Sequence, residues 1–80
     1  MMKSFSDAGG ESWTASVIEE NGADYKGRWV LTFRRERAEE SPALSLRDVR
    51  WNSRSTAERT LATMSDIELR RRLRVALGRA

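Results

Sequence analysis

The sequence predicts an α+β fold: a three-stranded antiparallel β-meander followed by two C-terminal helices packed on one of its faces. Three observations lead there. The stretch Arg28-Trp-Val-Leu-Thr-Phe-Arg34 alternates, with Trp29, Leu31 and Phe33 on one side and Val30 and Thr32 on the other, the pattern of a strand with one buried face. Asn21-Gly22 separates it from an earlier alternating run, and both residues tolerate the positive φ of a tight turn. Beyond residue 55 the apolar residues recur at helical spacing instead.

Residues 1–11 are small, polar and glycine-containing, with one isolated aromatic, Phe5; they read as a flexible leader. Residues 12–80 then form one small domain. Its first strand covers 12–20, with Trp13, Ala15 and Val17 on one face. The second is the 28–34 stretch, which Tyr25 and Lys26 can extend. Paired antiparallel, the two strands put Trp13 and Val17 beside Trp29, Leu31 and Phe33. Burying each of those last three contributes roughly 1.5–3 kcal/mol, a large share of the ~5–15 kcal/mol net stability of a small domain.

The charged run over residues 34–43 reads as a solvated loop, with nothing in the sequence to say whether it orders on binding. Residues 44–51 form the third strand, but Leu44 and Leu46 differ in parity from Val49 and Trp51. One extra residue near Arg47 and Asp48, a β-bulge, would return all four to one side. Ser55-Thr-Ala-Glu58 and Ser65-Asp-Ile-Glu68 are capping-box sequences. The apolar stripe changes phase at Ser65, from Ala57, Leu61 and Met64 to Leu69, Leu73, Ala76 and Leu77. Two helices with a tight junction follow, with Gly78 as the expected C-cap. The expected core is Trp13, Val17, Trp29, Leu31, Phe33, Leu46, Val49, Leu61, Met64, Leu69, Leu73 and Leu77.

With 39% hydrophobic and 34% charged residues the chain is globular in composition. It has neither cysteine nor histidine, which removes thiolate chemistry, the commonest zinc ligands and the commonest general acid–base group. A Ser-His arrangement is impossible within the chain. Glu19 and Glu20 point to opposite faces of a strand. No catalytic, cofactor-binding or metal site is therefore expected. No apolar run reaches the ~20 residues of a membrane span, so a cytoplasmic protein is expected. Arginine far outnumbers lysine, a bias that a GC-rich genome produces as readily as a need for guanidinium chemistry does.

Charge is uneven. Residues 1–40 carry six Lys/Arg against eight Asp/Glu, and residues 41–80 nine against four, a shift from −2 to +5 within a net +3. The candidate contacts for an anionic or protein partner are accordingly Arg70, Arg71, Arg72 and Arg74 on the last helix, with Arg47, Arg50 and Trp51 on the third strand. An amphipathic helix shows such a charged face by default, and strand tryptophans belong first to a core. Trp51, at a strand end, is the one that would mark a contact patch if exposed.

Two functions compete. The first is a small non-catalytic module acting through protein contacts, including contact with a second copy of itself. The second is a basic DNA-binding domain, its sheet carrying Arg28, Arg34, Arg47 and Arg50. The layout Gly27-Arg28-Trp29 … Thr56-Ala57-Glu58-Arg59-Thr60-Leu61 distantly resembles the sheet-plus-helix, arm-type DNA-binding domains at the front of some phage integrases, over about residues 12–64. That likeness implies duplex DNA as partner and assigns no individual residue. A helix-turn-helix is disfavoured, because Thr63-Met-Ser-Asp66 lacks a turn glycine and both helices are needed over the sheet.

Overall fold

The computed structural model describes residues 2–22, 25–37 and 41–79. Strands β1 (Met2–Ser6), β2 (Ser12–Gly22), β3 (Tyr25–Arg35) and β4 (Leu44–Trp51) are followed by helices α1 (Arg54–Thr63) and α2 (Asp66–Arg79). The architecture is the expected antiparallel meander with two C-terminal helices against it, with one strand more. The sheet has four strands in the order β1-β2-β3-β4, and the added strand comes from the stretch read as a leader. Phe5 is what holds it: the ring is 5% exposed and meets Phe33 edge-on, centroids 5.8 Å apart at 69°.

The turn after β1 is built on one carboxylate. Asp7 Oδ1 accepts from the Gly9 and Glu11 amides, and Oδ2 accepts from the Trp13 indole, each at 2.9 Å. Gly10 takes a positive φ of 87° there, a conformation glycine reaches without steric cost. The β2–β3 hairpin uses the same device. Gly27, at φ 66°, donates its amide to Asn21 Oδ1 at 2.7 Å, beside the register shift between Glu20 and Gly22.

A bulge does interrupt β4, and it is larger than expected. Trp29 faces Trp51 and Val30 faces Arg50, but Leu31 faces Leu46, leaving the three residues Arg47, Asp48 and Val49 between. Three is odd, as one is, so the parity change follows all the same. Leu46 joins the core, and Leu44, Val49 and Trp51 pack against it.

The helices cover one sheet face. Their buried residues Ala57, Leu61, Met64, Leu69, Leu73 and Ala76 close over Phe5, Trp13, Ala15, Val17, Leu31 and Phe33. Leu77, expected in the core, is 41% exposed, because Ala76 takes the inward position at the end of the stripe. Trp29 is half-buried, at the rim of the core. The first cap lies two residues earlier than the Ser55 motif predicts: Ser53 Oγ accepts from the Thr56 amide at 3.2 Å. At the second, Ser65 Oγ accepts from the Glu68 amide at 3.1 Å. Gly78 lies inside α2, which runs on to Arg79, so it is no C-cap. Residues 38–40 of the charged loop lie outside the described residues. No helix among the described residues is long and apolar enough to cross a membrane.

The opposite sheet face has no helix over it. By register it carries Ser4, Thr14, Ser16, Ile18, Arg28, Val30, Thr32, Arg34, Ser45 and Arg50. Val30 and Thr32 are nonetheless buried at its centre, 3% and 2% exposed, each flanked on this face by side chains of β2 and β4, Ile18 and Arg50 beside Val30 and Ser16 and Ser45 beside Thr32. Thr32 Oγ1 shares a hydrogen bond with Ser45 Oγ at 3.3 Å.

Candidate interaction surfaces

The seven candidate residues separate into distinct places. Arg70 Nε donates to the Ser6 carbonyl at 2.6 Å, so its role is to fasten α2 to β1. Arg47 is forked onto Glu20, at 3.2 and 2.9 Å, an exposed pair worth under about 1 kcal/mol. Arg74 borders a cleft with Asp7, Ala8, Gly9 and Leu77 on the β1 side of α2. Arg71, Arg72, Arg50 and Trp51 lie around a groove on the β4 side of the molecule.

That groove consists of two adjoining clefts. One, about 280 Å³, is lined by Leu46, Asp48, Val49, Glu68, Arg71, Arg72 and Val75. The other, about 320 Å³, shares Asp48, Val49, Glu68 and Arg72 with it and continues past Trp51 to Thr60, Thr63 and Met64. The bulge creates this geometry: three inserted residues push Asp48 and Val49 out of the ladder and aim them at α2. Bulges commonly re-aim side chains in this way. Trp51 is half-buried against the core and lines the second cleft.

Along the groove wall Arg72 Nη2 holds Glu68 at 3.1 Å, one turn earlier on the helix. Arg72 Nε is buried and has no acceptor among the described residues. Arg71 and Arg50 are exposed and make no ion pair among the described residues. Val75, one turn after Arg71, is 41% exposed, and Ile67, one turn before it, 67%. Val75, Glu68 and Asp48 line the groove without being among the residues the sequence points to, and Ile67 lies beyond its lining on the same helix flank. A second apolar phase on the helix, Ile67 and Val75 eight residues apart with Arg71 between them, was the available signal, since i, i+4 and i+8 share a flank.

No family model, curated protein or solved structure matches this chain. The physical surfaces must therefore carry any functional reading. Among the described residues no group of three or more His, Cys, Asp or Glu side chains converges to hold a metal ion. Asp7 has a distinct environment: the Trp13 indole, then the Glu11 amide, hold its pKa below the ordinary 3.8. All its hydrogen bonds serve the turn, which makes it a structural group. Arg28 and Arg34 lie on the open sheet face and Arg71 and Arg72 on the helix side, while Arg50, at the β4 edge, belongs by register to the open face and also borders the second cleft; one flat surface cannot engage the first two sets together.

Proposed function

We propose that the chain is a small cytoplasmic binding module that works through protein contacts rather than through catalysis. The observation that carries this reading is the β4–α2 groove. Its floor is apolar, from Leu46, Val49 and Val75, and its walls carry both signs of charge, Arg71 and Arg72 with Asp48 and Glu68. Mixed polar walls around an apolar floor suit a protein surface. The test is capture of partners on the full-length chain beside an Arg71→Glu variant. A protein retained in stoichiometric amount by the first and lost by the second supports the reading; recovery of nucleic acid alone rejects it.

A second reading has its own observation. Arg28, Arg34 and Arg50 share the sheet face that no helix covers, and a sheet face of that kind can enter a DNA major groove. The layout that resembles integrase arm-type domains supports the same partner. A mobility shift with duplex DNA at low and physiological salt tests it directly. A salt-sensitive shift weakened by Arg34→Ala favours this reading, and absence of a shift at low salt removes it.

A further inference from the structure

We propose that β1 pairs antiparallel with β1 of a second copy of the chain, about a two-fold axis at Ser4, joining two four-stranded sheets into one of eight strands. This edge lies at the opposite end of the sheet from β4, so the pairing neither uses nor needs the groove beside α2.

The ladder tells which backbone groups of β1 are free. The Asp7 amide donates to the Glu11 carbonyl, and β1 pairs with β2 in unbroken register from Met2↔Ser16 to Ser6↔Ser12. Hydrogen-bonded pairs alternate along an antiparallel ladder, so Lys3 and Phe5, in phase with Asp7, turn their amides and carbonyls toward β2. Met2, Ser4 and Ser6 turn theirs outward. The Ser6 carbonyl accepts from Arg70 Nε at that edge, in keeping with this phase, and Met2 and Ser4 are exposed.

The two sheet edges differ in protection. β4 is broken by its bulge and carries Arg47 and Arg50. β1 has neither proline nor bulge, and its one charged residue, Lys3, is turned to the carbonyls that end α1. An edge without outward charge, proline or bulge is a template for another strand.

Register selects a second copy as that strand. About the axis, Ser4 exchanges both backbone bonds with the partner's Ser4, and the Ser6 amide of each copy donates to the Met2 carbonyl of the other. On the helix side Lys3 stands opposite the partner's Phe5. Asp66 lines a cleft with Ser4, Phe5 and Ser6; it is exposed and makes no ion pair among the described residues. Each Lys3 therefore comes up beside an acid of the other copy, and the contact occurs twice. No like charges stand directly opposite. The two Ser6 positions, where Arg70 sits, are four residues apart along the pair, roughly 13 Å, beyond the ~8 Å screening length at physiological ionic strength. A strand of unrelated sequence could take the backbone bonds but would not bring the Lys3 and Asp66 pairings.

Five residues a side is far below the ~20–30 of a standard interface, so the dimer is weak, half-formed at about 0.1–1 mM. Sedimentation equilibrium of the full-length chain from about 10 µM to about 1 mM should show the mean mass rising toward twice that of one chain. Ser4→Pro removes an outward amide, which an edge strand tolerates, and should weaken association at least tenfold; Asp66→Lys should weaken it several-fold. Circular dichroism checks that both variants are folded. The chain has no cysteine, so a single one reports the register. Paired Ser4 positions lie about 5.5 Å apart, within disulfide reach, and Ser4→Cys should oxidise to a covalent dimer while Met2→Cys, roughly 13 Å from its own copy, should not. If Ser4→Pro fails to fold, the two cysteine variants decide. A constant mass up to about 1 mM, or equal cross-linking of both cysteines, overturns the pairing. Association that ignores Ser4→Pro and is abolished by Arg71→Glu places the second copy on α2 and also overturns it. None of these results bears on capture of another protein by the groove.

Discussion

At the scale of single residues, Asp7 organises more structure than any other side chain of the N-terminal part. It fixes two amides of the turn and the indole of Trp13, which is only 1% exposed and carries the Arg35 guanidinium over its ring, 4.4 Å from the centroid. Its folded-state pKa is depressed below 3.8. The contribution it makes is therefore fully present above that value and is lost as pH falls through the folded-state value. Asp7→Asn should lower the urea midpoint near neutral pH and flatten the acid limb of a plot of midpoint against pH, read by tryptophan fluorescence. An unchanged acid limb would remove Asp7 from this role. Two glycines should respond in opposite directions. Gly27 sits at φ 66° with only Glu19 Oε2 near a built Cβ, at 3.5 Å, so Gly27→Ala should cost about 1–2 kcal/mol through backbone strain alone. Gly78 lies within α2 with open space around it, and Gly78→Ala should gain up to about 1 kcal/mol. Equilibrium urea unfolding of both variants checks the signs.

At the scale of elements, β1 decides how well the core is closed. Lys3 Nζ donates to the Ala62 and Met64 carbonyls at the end of α1, Arg70 ties α2 to Ser6, and Phe5 fills the space beside Phe33. Both helices are thus anchored to a five-residue strand. Phe5→Ala should cost about 3–5 kcal/mol, close to the whole stability at the lower end for a chain of this size, roughly 0.05 kcal/mol per residue. A melting curve that scarcely moves would show β1 to be peripheral. The same element marks the limit of what could be read beforehand. The strands β2, β3 and β4, the two helices and the parity break in β4 are legible because each is written in local periodicity, whereas the three-residue size of the bulge is not. β1 is not, because one aromatic in a polar stretch has no period, and its burial depends on Phe33 some thirty residues away. Ser53 was passed over for a similar reason. Two serines stand two apart, and the chain direction leaving β4, rather than the motif, selects the cap. The groove was half visible: Arg71, Arg72, Arg50 and Trp51 drew attention as charge and aromatic character, while Asp48, Val49 and Val75 meet them only once the bulge and the helix are in place.

At the scale of the whole molecule, the two faces make different demands on ionic strength, and that difference separates the readings without knowledge of the partner. A duplex on the open sheet face would meet Arg28, Arg34 and Arg50. Three neutralised phosphates give a slope of log affinity against log salt of about −2.7, so a rise from about 50 to about 200 mM salt should weaken binding roughly fortyfold. A protein partner in the groove carries no condensed counterion layer to release. Ion pairs it makes at the exposed Arg71 feel only ordinary screening. Groove binding should therefore change by no more than a few-fold over the same range. The substitutions sort the same way. Because α2 and the open face lie on opposite sides of the sheet, Arg71→Ala with Arg72→Ala should leave any duplex binding by the sheet nearly intact and reduce groove binding strongly, whereas Arg34→Ala should do the reverse. Titrating each ligand against both variants at the two salt concentrations reads all four outcomes. A steep slope that follows the α2 substitutions would mean that phosphates bind the helix, and neither surface would then have the role assigned to it.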